Sequence, residues 1–246
     1  MEPIEELLRW VNNYFRDIDF DDRYLPRFEW FRQEIPQPET ILNVGCGGGR
    51  ETFALMWTFG AIEAIGIDID NEPERPHKIC IANRIAQTIR EFPNRFSTEV
   101  MPLVSKGESR EYIERLQAWY ETSVPSEIKK GIVPKFFKED ISKSISQPLD
   151  YFDLVYSRYV LDKVMDESED GLKRAIQNIV RAVKPKTGRI IFVVPTEKDK
   201  NGVRIYYDFE QHFPKDLSLL VVKDGICLGD EEWPETNPKG YICTRL

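Results

Sequence analysis

The stretch Ile41–Met56, ILNVGCGGGRETFALM, limits the fold more than any other part of the chain. An apolar run enters a loop carrying Gly45, Gly47, Gly48 and Gly49, and an amphipathic run follows at once. A strand that turns through glycines into a helix opens an α/β unit, and such loops sit at the carboxyl end of the strand, where open α/β sheets bind ligands. The loop's spacing excludes two occupants. A phosphate-binding P-loop needs G-x-x-x-x-G-K-[ST], and no Gly-Lys-Ser/Thr occurs. A dinucleotide fingerprint needs G-x-G-x-x-G, but Arg50 stands where the third glycine should be. What remains is G-x-G-x-G, at Gly45, Gly47 and Gly49.

The rest of the chain alternates in the same way. AIEAIGIDID is a short apolar run closed by acids and reads as a second buried strand. Asp68 lies 23 residues after Gly45, where a carboxylate can accept both hydroxyls of a ribose; Asp70 is the competing acid, and a helix cap or solvated loop acid is the plainer role. Residues 78–92 place Ile79, Ala82, Ile85, Ala86 and Ile89 on one helical face. KFFKED, YFDLVYS and GRIIFVVP read as strands, GLKRAIQNIVRAV as a helix, and LSLLVVK and KGYICTRL as a final pair able to run antiparallel. The predicted class is α/β with a mostly parallel central sheet.

At 246 residues, one large domain is expected over 1–246. Residues 3–15 predict an amphipathic helix, and 93–134 predict an insertion packed on the main fold, with one helix in ESREYIERLQAWYETS. The formal charge of −8 disfavours nucleic acid and anionic membranes as partners. Cys46, Cys80, Cys227 and Cys243 form no C-x-x-C pair, and with two histidines no metal site is expected. Scattered cysteines, an acidic N-terminus and no apolar run of membrane length lead to a cytoplasmic expectation.

Five motifs, in order, resemble the class I S-adenosylmethionine-dependent methyltransferases. ILNVGCGGGRETFAL is similar to that family's glycine motif and AIGIDID to its ribose-binding strand end. KFFKEDI resembles the segment whose acid meets the adenine amino group. YFDLVYSRYVLDKV resembles the fourth strand, and RAVKPKTGRIIFVVP the turn and fifth strand. The resemblance implies a Rossmann-like fold: a mostly parallel seven-stranded sheet with an antiparallel C-terminal edge strand and helices on both faces. It implies S-adenosyl-L-methionine as cofactor, with Gly45, Cys46 and Gly47 passing backbone under the methionine part. Asp68 would hold the ribose, Ile69 would cover an adenine face, and Asp140 with the backbone of Ile141 would read the adenine edge. Tyr156, Ser157 and Arg158 would form the wall where donor meets acceptor. Cys46 is read as a small packing residue rather than a nucleophile.

The chain departs from the family twice. The acid usual two residues before the first glycine is Asn43, which can bond the loop backbone but offers no charge to the cofactor's ammonium. A histidine often found after the fourth strand is replaced by the run Leu161, Asp162, Lys163. Methyl transfer needs a base only for an acceptor that loses a proton early, and the candidates are His77, His212, Asp162 and Tyr159. An N/D-P-P-Y/F motif is absent after the fourth strand, which disfavours DNA bases and amide nitrogens. A small-molecule acceptor is expected, under a lid formed by residues 1–38 and the 93–134 insertion. Tyr14, Arg158 and Tyr159 are the substrate candidates, and Trp10, Tyr24, Trp119 and Tyr120 either line the site or pack in the lid. Arg158 either anchors an acceptor anion or forms a structural ion pair. The alternatives are a non-catalytic cofactor-binding regulator and a protein or RNA methyltransferase; oligomeric state is not legible.

Overall fold

The computed structural model describes residues 31–69, 78–101, 110–123, 126–194, 197–198, 204–205, 209–224 and 239–246. The predicted helix at 3–15, with Trp10 and Tyr14, lies outside them, as do Tyr24, Asp70 and His77.

Strand β1 (Thr40–Val44) is buried at every position. The glycine loop leads into α1 (Arg50–Phe59), which begins and ends on left-handed glycines, Gly49 at φ 86° and Gly60 at φ 65°. Strand β2 (Glu63–Asp68) and helix α2 (Lys78–Arg95) follow. Pro93 does not end α2: the helix runs past it into a π-helical turn, Phe96–Val100. Helices α3 (Arg110–Ser123) and α4 (Ser126–Lys129) lead to β3 (Lys135–Lys138). Strand β4 (Leu154–Arg158), helices α5 (Leu161–Glu167) and α6 (Glu169–Ala182), and β5 (Arg189–Val194) complete the alternating part. Strands β6 (Leu217–Asp224) and β7 (Lys239–Arg245) come last.

The seven strands lie in the order β3-β2-β1-β4-β5-β7-β6. The first five are parallel; β7 runs antiparallel between β5 and β6, so the edge is β6, with a bulge between Leu219 and Val221. A separate two-stranded ladder joins Glu197–Lys198 to Arg204–Ile205.

Alternation along the strands sends side chains to two cores. Leu42, Val44 and Val155 face α6, whose Leu172, Ala175, Ile176, Ile179 and Val180 recur at helical spacing and are all buried. Ser168 caps that helix, its Oγ accepting from Gly171 N at 3.2 Å. Ile41, Leu154 and Tyr156 face α1 instead, with Ala54, Leu55 and Met56. Between 93 and 134 the described Phe96 and Tyr120 rings stack at 4.0 Å, with Phe92 of α2 beside them. Phe136 on β3 fills a narrow space. A Cβ at Gly49 or at Gly66 would come within 2.7 Å of its ring.

Candidate functional site

Reversal of strand order between β1 and β4 opens a crevice at the carboxyl ends of the parallel strands. A cavity of about 950 Å³ lies there. The glycine loop forms one wall and is tied to β2, with Gly45 N and Cys46 N both donating to Ile67 O at 2.8 and 3.1 Å. Gly45 has φ 75°, and a Cβ on it would meet Val160 Cγ2 at 1.9 Å, so only glycine lets the loop pass the start of α5. At Gly47 and Gly48 an added Cβ would meet nothing within 4 Å. There the bare backbone faces open space on the cavity wall.

Asp68, at the end of β2, accepts from Gly47 N at 2.8 Å, which fixes its carboxylate beside the loop. Ile69, Asp140 and Ile141 line the same side. Burial pushes the Asp140 carboxyl up, but bonds from Ser142 and the Lys143 ammonium outweigh it and leave the group below the ordinary carboxylate range. Cys46 also lines the cavity; it is buried and its Sγ leans on Gly47 O at 3.8 Å.

The opposite side is built by the chain after β4. Arg158, Tyr159 and Val160 line it. Tyr159 holds φ 55°, a conformation that costs a non-glycine residue about 1–3 kcal/mol. Its N–H bonds Val193 O at 3.0 Å, and its ring lies 5.0 Å from the Arg158 guanidinium. Arg158 Nε stands 3.2 Å from Glu51 Oε1, an ion pair whose side chains are only 20% and 10% exposed. Of the two roles open to Arg158 in the sequence, the ion pair is therefore present.

Three expected contacts lie beneath the cavity surface rather than on it. Asn43 is 1% exposed and gives Nδ2 to Thr52 Oγ1 at 2.9 Å, so it holds the first turn of α1 and not the loop backbone. Tyr156, fully buried on the α1 side, packs edge-on to Phe31, and its hydroxyl reaches Glu51 Oε1 at 2.8 Å. Ser157, by strand alternation, turns to the α6 side; it is 2% exposed, and its Oγ has no partner among the described residues. Tyr14 lies outside the described residues. Of the described base candidates, Tyr159 alone borders the cavity; His212 sits in a 3-10 turn away from it.

Glu51 is the residue that the sequence reading missed. An acid in the first turn of a helix reads as a complement to the helix dipole, and no spacing rule marks it as part of a site. Its signal was position alone, two residues past the last loop glycine.

Residues 13–218 match the family model described as "Methyltransferase domain". The chain belongs to this methyltransferase family. Among solved structures, it resembles a TehB-like SAM-dependent methyltransferase from Corynebacterium glutamicum at 17% identity, covering 99% of this chain and 100% of that one, with a TM-score of 0.54. It also resembles a SAM-dependent methyltransferase from Aquifex aeolicus at 14% identity, covering 96% and 98%, with a TM-score of 0.51. These likenesses establish the fold. No curated protein matches the sequence significantly.

The cofactor that the sequence motifs imply is S-adenosyl-L-methionine. The cavity fits it: open backbone at Gly47 and Gly48, and the carboxylate of Asp68 fixed beside them. Among the described residues no group of three or more His, Cys, Asp or Glu is placed to hold a metal ion. No described helix is long and apolar enough to cross a membrane.

Proposed function

We propose that this methyltransferase acts on a small-molecule acceptor, which enters the cavity on the Arg158–Tyr159 side. The observation that carries this reading is one cavity of about 950 Å³ with a glycine wall on one side and a polar, aromatic wall on the other. That volume stands at the upper end of small-ligand sites, roughly 300–1,000 Å³, and leaves room for a second small molecule beside the cofactor. The chain's formal charge of −8 is a further support, since it disfavours RNA.

When bound, S-adenosylmethionine supplies an electrophilic methyl group to a nucleophilic acceptor atom. The chain's own part is to bind and orient. Gly45, Cys46 and Gly47 give the methionine part a close backbone wall. Asp68 offers its carboxylate to the ribose hydroxyls, and Asp140 with the Ile141 backbone offers acceptor and donor to the adenine edge. Tyr159 places a phenol on the acceptor side, where it can orient a polar group or receive a proton.

The test is calorimetry with S-adenosylmethionine and S-adenosylhomocysteine, followed by incubation of the enzyme with methyl-labelled cofactor and a metabolite extract. Label entering a compound of low molecular mass is the expected result. Label entering only macromolecules from an unfractionated lysate overturns the small-molecule reading. Cofactor binding without transfer to any acceptor favours a regulatory protein instead.

A further inference from the structure

Glu51 and Arg158 form a charge pair that stability alone does not account for. Both side chains are desolvated, at 10% and 20% exposure, yet both border the cavity. A buried ion pair recovers little more than its desolvation cost, and an apolar pair of similar size would serve a core as well. The pair is also held in place from several sides. The Tyr156 hydroxyl donates to Glu51 Oε1 at 2.8 Å, on the same oxygen that faces Arg158 Nε at 3.2 Å. The Tyr159 ring lies against the guanidinium at 5.0 Å. Asn43 bonds Thr52, the neighbour of Glu51, and so fixes the turn that carries the carboxylate.

A neutral pair with a fixed dipole suits one kind of ligand group: another neutral pair, with its charges reversed. The amino-acid end of S-adenosylmethionine is such a group, with an ammonium and a carboxylate on one carbon. We infer that Glu51 and Arg158 are its seat, Glu51 taking the ammonium and Arg158 the carboxylate. This rests on the cofactor assignment. It also accounts for Asn43. The charge that Asn43 cannot offer comes from Glu51 on the next element, and Asn43 keeps a supporting role beneath it. Tyr156 is then a positioning residue that acts through Glu51.

The experiment compares S-adenosylhomocysteine by calorimetry with analogues that each lack part or all of its amino-acid end. S-adenosylhomocysteine carries the amino-acid end and no sulfonium charge; 5′-methylthioadenosine lacks the amino-acid end; the deaminated analogue of S-adenosylhomocysteine lacks only the ammonium. Glu51→Gln is expected to weaken S-adenosylhomocysteine by about ten- to a hundredfold, the range for one charge-assisted hydrogen bond, and to leave methylthioadenosine within about twofold. Tyr156→Phe should follow the same pattern with a smaller loss. Arg158→Gln should weaken S-adenosylhomocysteine but not its decarboxylated analogue. Equal loss of both ligands in Glu51→Gln, or loss of neither, overturns the inference. If Glu51→Gln does not fold, the wild-type enzyme decides alone: binding the deaminated analogue as tightly as S-adenosylhomocysteine overturns the inference, and a tenfold preference supports it. A wild-type enzyme that binds methylthioadenosine but gains nothing from the amino-acid end removes the inference and leaves the cofactor assignment standing. Binding of none of these ligands, S-adenosylmethionine included, removes both.

Discussion

The two ends of the parallel sheet use their polar side chains in opposite ways. At the amino end, the fold's own groups bind one another. Asp153 Oδ2 accepts from Glu39 N, Thr40 N and Thr40 Oγ1 at 3.1, 3.0 and 2.9 Å, while Oδ1 meets Lys184 Nζ at 2.7 Å. Glu63 takes the Tyr151 hydroxyl on one oxygen and Lys135 Nζ on the other, at 2.6 and 2.7 Å. At the carboxyl end, Asn43 Oδ1 and Ser157 Oγ are buried with no partner among the described residues, and the loop presents bare backbone at Gly47 and Gly48. Asp68 and the Glu51–Arg158 pair border a cavity. One end spends its polar chemistry on joining strands, and the other directs it toward a ligand. Stability and affinity should therefore separate along the strands.

The largest test of that separation is Asp153→Ala. It strands two backbone N–H groups and the Lys184 ammonium, and should cost about 3 kcal/mol in urea unfolding with little change in S-adenosylhomocysteine affinity. A parallel loss of affinity would break the comparison. Asp68→Ala should show the reverse, about 2 kcal/mol of binding free energy by calorimetry with only a small shift in the unfolding midpoint. Unchanged affinity in that variant would shift the ribose role to another acid.

Acid should act on the amino end through Asp153. Burial pushes the Asp153 carboxyl up, but bonds from Lys184 and Thr40 outweigh it, so its folded value lies below the ordinary one. The stabilisation is thus fully present above about pH 4, the ordinary aspartate value, and is lost as pH falls through the lower folded value. Thermal midpoints measured from pH 6 downward should drop in the wild type and drop less steeply in Asp153→Asn. The smallest effect belongs to Tyr151→Phe. It removes the hydroxyl bond to Glu63 and should lower stability by about 0.5–1 kcal/mol, with ligand binding unaltered.

The parts of this molecule that depend on backbone were legible in the sequence. The glycine loop, the strand ends at Asp68 and Asp140, and the alternation that yields a parallel sheet are written in residue type and spacing. Side-chain direction was harder. Tyr156 and Arg158 sit two apart on one strand and share a face, yet Tyr156 is covered by α1 and Phe31 while Arg158 reaches the cavity. The difference is depth along the strand, which no periodicity records. Asn43 was read as a partner of the loop because it precedes it, but Thr52 lies nearer once α1 folds back. Val160 was invisible as a determinant of the loop until the chain after β4 came against Gly45.

The close fit around Phe136 has a consequence for how such a chain can change over time. Gly49, Gly66 and Phe136 come from three separate segments, and each leaves room for the others by what it lacks or fills. A methyl added at position 66 meets the ring at 2.7 Å, and the Cys46 side chain at 2.9 Å. The three positions form a single inherited choice. A lineage that keeps the ring cannot vary either glycine by a single step, and one that loses it must still clear the Ala82 methyl at 2.9 Å and bear φ 86° at position 49.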